Sequence, residues 1–148
     1  MSFQFSLETV LRFRKSLEAR EEALLLAANQ LVVDAQRKIA TLAQELSQRQ
    51  QNVRRNLQDG LCGAELVFEQ SCELRLEERL AILNQQLLQL EAARQAQMNK
   101  YQHARRQRLL LDQLREKAHQ AYLREEERLA QRRLDDLFLL RREFLKRG

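Results

Sequence analysis

From Met1 to Asp59 the chain contains neither glycine nor proline, and apolar residues recur in alternating steps of three and four: Val10, Phe13, Leu17, Leu24, Ala27 and Leu31. A spacing that averages about 3.5 residues keeps one stripe facing a partner helix, so this segment predicts a long helix with a coiled-coil seam. With a small phase adjustment the stepping continues through Ala28, Val32, Ala35, Ile39, Leu42, Leu46 and Val53, with Arg49 as the one charged interruption. A second run, Leu76, Leu80, Leu83, Leu87 and Leu90, repeats the alternation beyond the only internal glycines, Gly60 and Gly63. The expected fold is therefore all-α: an antiparallel two-helix coiled-coil hairpin whose partner helix lies in the same chain.

Boundaries follow from local chemistry. Residues 1–6 lead into the first helix, with Ser6 or Thr9 as candidate N-caps and Glu8 suited to the positive end of the helix dipole. Helix one is expected over about 6–58, the turn over 59–64, and helix two over about 65–146, as one domain. Gly60 stands where a helix C-terminus favours glycine. No breaker follows until Gly148, so helix two extends for about 80 residues, or ~120 Å. Paired outward from the turn, helix one runs out near Glu116, and the rest of helix two has no partner in the chain. The seam of helix two also loosens after Leu90, because Arg94, Gln97 and Arg108 fall where apolar residues belong. A restart in shifted phase is expected at Leu111, Leu114, Ala118 and Ala121, followed by Leu134, Leu137, Leu140 and Phe144.

Composition narrows the function classes. Charged residues make up 32% of the chain, aromatics 5%, and tryptophan and proline are absent, which argues against a large enclosed pocket. The net charge of +5 would suit an anionic partner. The basic residues are interspersed with acidic ones, however, as on a solvated helical face. No apolar run approaches the ~20 residues of a membrane span, and the N-terminus lacks the pattern of a secretory signal, so a soluble cytoplasmic protein is expected. Cys62 and Cys72 are expected to be free thiols. His103 and His119, about 24 Å apart along one helix, cannot share a metal. No phosphate loop, zinc-binding or nucleophile motif is present, so neither an enzyme nor a cofactor is expected.

Two stretches carry a family resemblance. The opening FQFSLETVLRFRKSLEAREEA resembles the N-terminus of the FliJ family through Phe3, Phe5, Leu7, Leu11, Arg14 and the charged stretch from Glu18 to Glu22. The stretch LREKAHQAYLREEERLAQRRLDD is similar to that family's C-terminal pattern. Here Leu114, Arg115, Tyr122, Glu126, Arg128, Gln131, Arg132, Arg133, Asp135 and Asp136 stand at the matching positions. Tyr101 replaces the tryptophan that many members carry.

The resemblance implies a coiled-coil component of the bacterial flagellar protein export apparatus, shaped like the stalk of a rotary ATPase. Its paired terminal end would enter a hexameric export ATPase, its hairpin end would reach the membrane export gate, and it would handle empty export chaperones. That implies a cytoplasmic protein held peripherally at the inner face of the membrane. The expected ATPase contacts are Glu126, Arg128, Gln131, Arg132, Arg133, Asp135 and Asp136. Gate or chaperone contacts are expected at Phe68, Leu46, Val53 and Leu76, although the last three are also simple seam residues. Two competing readings are the equivalent stalk of a virulence type III secretion system and a nucleic-acid-binding coiled coil that uses Arg105, Arg106, Arg108, Arg115 and Lys117.

Overall fold

A computed structural model describes residues 2–148 and contains two α-helices, α1 over Glu8–Asp59 and α2 over Gly63–Arg147. They pack against each other as a hairpin, and the second is the longer. Helix α1 starts two residues after Ser6. The Glu8 amide donates to the Phe5 carbonyl at 3.1 Å, and the Leu7 carbonyl accepts the first helical bond, from Leu11, at 2.9 Å. At the other end Gly60 takes φ 93°, a left-handed conformation that terminates the helix at no steric cost to glycine. The Cys62 carbonyl then accepts from the Leu66 amide at 3.1 Å and opens α2 at Gly63. Both cysteines are free.

The chain forms two compact units. The turn unit, Arg20–Gln102, carries the leucine seam: Ala28, Ala35, Ile39, Leu42, Leu46 and Val53 of α1, and Leu76, Leu80, Leu83, Leu87 and Leu90 of α2, are all half-buried. Val32 is the one fully buried side chain described in this unit. Arg49, which interrupts the apolar run, sits on the seam beside Glu69 at 3.4 Å, with Glu45 at 4.0 Å. An arginine is tolerated there because its charge meets a carboxylate on the opposite helix.

The terminal unit comprises the chain up to Ala19 together with His103–Gly148. Its fully buried side chain is Leu11. Polar pairs dominate the remainder. Arg108 donates through Nε and Nη2 to the two carboxylate oxygens of Glu18, and through Nη1 to Asp112 at 2.6 Å. Arg115 pairs with Glu8 at 3.2 Å. Ahead of α1, the Phe3 ring packs edge-on against His119, with centroids 4.9 Å apart, and lies 5.5 Å from Tyr122. The leader therefore carries the covering of α2 beyond Glu116, as far as Tyr122.

These contacts correct two expectations about phase. Val10, Phe13, Leu24 and Leu31, expected on the seam, are 41–59% exposed. Leu17 is half-buried as expected, but the regular seam in that stretch runs through Leu11, Arg14, Glu18, Glu21, Leu25 and Ala28, which join Val32 in unbroken steps of three and four. No phase adjustment occurs. Of the expected restart in α2, Leu111 and Ala118 are half-buried, but Leu114 and Ala121 are exposed, as are Leu134, Leu137, Leu140 and Phe144. A strict continuation through Arg94, Gln97, Tyr101, Ala104, Arg108, Leu111, Ala118 and Tyr122 is half-buried, with Arg115 the one exposed step. Hydrophobicity alone misplaced the stripe because several true seam positions hold polar groups satisfied across the seam. In the turn unit, for example, Gln97 donates to both the carbonyl and the carboxylate of Glu21.

Candidate functional site

Two surfaces hold the candidate residues. The first is the end of α2, where every residue from Leu123 to Gly148 is exposed. Helical geometry is kept to Arg147 without help from packing. Glutamate, glutamine, arginine and leucine are strong helix formers, and Lys146 and Arg147 in the last turn complement the dipole. Side-chain pairs add modest local support. Arg128 Nη2 donates to Glu125 Oε1 at 2.7 Å, and Gln131 Nε2 donates to Asp135 Oδ1 at 3.0 Å. The hydrogen bond from Arg128 holds the Glu125 carboxyl below its usual range, and the charge of Arg132 acts in the same direction. The same bond raises the Arg128 guanidinium.

All seven residues expected at an ATPase interface lie in this exposed segment: Glu126, Arg128, Gln131, Arg132, Arg133, Asp135 and Asp136. Helical spacing distributes them over adjoining strips. Arg128, Gln131 and Asp135 form one, Arg132 and Asp136 a second, and Glu126 and Arg133 a third. The arrangement presents fixed charges of both signs on a helix with solvent all round, which suits polar recognition by another protein.

The second surface lies near the turn, and there the structure separates the candidates. Leu46, Val53 and Leu76 are half-buried seam residues, whereas Phe68 is 64% exposed. Sequence reasoning missed the neighbouring apolar residues: Val67, Leu57 and Leu74 are each at least half exposed. Val67 and Leu74, seven apart, share a face of α2, and that spacing was the available signal.

The family model described as the flagellar FliJ protein matches residues 3–147. The chain belongs to the FliJ family. It is accordingly a component of the flagellar export apparatus. Comparison with curated proteins and with solved structures found no match. The FliJ match spans both helices, and so includes the Phe3 leader and the exposed end of α2. No helix among the described residues is long and apolar enough to cross a membrane.

Proposed function

We propose that this FliJ-family chain is a non-enzymatic stalk of the export apparatus. Its terminal end inserts into the hexameric export ATPase and promotes ring assembly and hydrolysis. Its turn end contacts the membrane export gate, and the same chain binds export chaperones, placing it in the cytoplasm at the inner face of the membrane. The observation that carries this reading is the 26-residue end of α2, Leu123 to Gly148, helical almost throughout and exposed at every residue, with charges of both signs on several faces. A helical end that its own fold leaves uncovered is available to line a ring of identical subunits. Phe68, exposed beside Val67, supports a separate contact at the turn end.

Titration of the purified chain into the export ATPase of the same organism tests the central claim. Saturable stimulation of hydrolysis and hexamer formation, at ratios substoichiometric to the ATPase protomer, is expected, and no stimulation by a fully helical protein would overturn it. Reversal of Arg132 and Arg133 to glutamate should abolish binding with helicity intact. Phe68→Ala should weaken gate or chaperone binding more than it lowers Tm.

The nucleic-acid reading draws less support. Two of its basic residues are engaged within the terminal unit, Arg108 with Glu18 and Asp112, and Arg115 with Glu8.

A further inference from the structure

The end of α2 carries an apolar stripe distinct from its charged strips. Leu123, Glu127, Ala130, Leu134, Phe138, Arg141 and Leu145 follow one another in steps of four, three, four, four, three and four. At about 100° per residue they fall within a sector of about 80°, centred on Leu134. The large members are open to solvent: Leu134 is 61% exposed, Phe138 66% and Leu145 68%. Arg132 and Asp136 lie on nearly the opposite side of the helix. The stripe is thus distinct from the strip that holds Arg132 and Asp136.

The step pattern is a palindrome about Leu134, and so is the chemistry. We propose that this stripe pairs with the same stripe of a second copy of the chain, antiparallel, with the two-fold axis passing beside Leu134. Superposing the sequence on its own reverse about that residue sets Leu134 against Leu134, and Ala130 against Phe138, a small side chain facing a large one. Leu123 meets Leu145 at the two ends. Glu127 meets Arg141, and these are the only charged residues on the stripe. The two-fold therefore forms two complementary ion pairs within the seam, as an isologous interface requires.

Parallel pairing of two copies would instead stack Glu127 on Glu127, Arg141 on Arg141 and Phe138 on Phe138. That places like charges together in a desolvated seam, which is strongly unfavourable. The overlap from Leu123 to Leu145 spans about 33 Å of helix. Steps of four, three and four sum to eleven residues, a repeat that favours a nearly straight or slightly right-handed pairing over the left-handed twist of heptads. A second copy is the occupant that the stripe specifies, because its two halves complement each other.

The test uses the full chain. Sedimentation equilibrium is expected to show a reversible monomer–dimer equilibrium. Glu127→Arg alone and Arg141→Glu alone should each weaken the dimer at least ~10-fold, and the double reversal should restore it, because the ion pair is re-formed with opposite sense. Circular dichroism establishes that each variant remains helical. In a Cys62→Ser, Cys72→Ser background, Leu134→Cys should form an intermolecular disulfide on mild oxidation. Phe138→Cys alone should not, since its counterpart in the other copy is residue 130. A chain that stays monomeric at high concentration would overturn the proposal. So would a dimer indifferent to both single reversals, or one in which Phe138→Cys cross-links as readily as Leu134→Cys.

Discussion

In the turn unit the two helices meet mainly through leucines, interrupted by the Arg49–Glu69 pair, while in the terminal unit charged pairs share the seam with Leu11 and the half-buried Leu17 and Leu111. The turn unit packs Leu76, Leu80, Leu83, Leu87 and Leu90 against a comparably apolar α1 stripe, whereas the terminal unit relies on Leu11, the Arg108–Glu18–Asp112 cluster, the Arg115–Glu8 pair and the Phe3 leader. The two kinds of seam do different work. Leucine layers stabilise by burying apolar area, but they are interchangeable, so a slip by one heptad would replace leucine with leucine. A bidentate arginine–carboxylate pair contributes less net stability, because both ions lose water, yet it is satisfied in one register only. The contrast assigns adhesion to the leucine seam and alignment to the polar one.

A graded set of substitutions probes that contrast. Leu11→Ala removes the fully buried anchor of the terminal unit and should destabilise by about 3 kcal/mol in urea titrations followed by circular dichroism. A loss below ~1 kcal/mol would mean that the terminal unit depends on its polar pairs alone. Arg108→Ala strands the Glu18 carboxylate, whose side chain is only 14% exposed, and should cost about 2 kcal/mol. Replacing both Glu18 and Arg108 by leucine should bring stability back to wild type or slightly above it.

Alignment in that double variant is read separately. With cysteines in place of Glu8 and Arg115 and the native thiols removed, the disulfide should form more slowly than with the polar pair present. Equal rates would show that the polar seam does not set register. Phe3→Ala should cost about 1 kcal/mol, with loss of hydrogen-exchange protection confined to the stretch of α2 around His119 and Tyr122. The smallest effect is expected for Val10→Gln, within about 0.5 kcal/mol of wild type, because this apolar residue lies off the seam. A cost like that of Leu11→Ala would restore the stripe first read from hydrophobicity.

The hairpin, the turn at Gly60 and the inequality of the helices were all legible from glycine placement and the three-four rhythm. The phase at the terminal end was not. Between Val10 and Leu31 two interleaved stripes compete, and the more hydrophobic one is solvent-facing. The true seam there holds Arg14, Glu18 and Glu21, and the two glutamates look like surface residues until paired with groups some 75 to 90 positions away, Glu21 with Gln97 and Glu18 with Arg108. Stepping strictly backward from Val32 and forward from Leu90 would have found them. On the candidate surfaces, counting helix lengths put the start of the unpaired end near Glu116, and the contacts of Phe3 with His119 and Tyr122 move it to Leu123. The apolar neighbours of Phe68 did not, because an exposed leucine or valine near a turn carries no mark that separates it from a seam residue.

The unbroken rhythm of the turn unit makes length an adjustable quantity. Excising seven residues from α1 and the seven that face them in α2, within the turn unit, would return every remaining side chain to its former phase and shorten each helix by about 10 Å. An excision from α1 alone would break the match between Glu21 and Gln97 within that unit while leaving leucine opposite leucine. A turn unit built this way is a ruler graduated in heptads: its span can be reset in whole steps by paired insertions or deletions, and its polar rungs reject any change made on one side only.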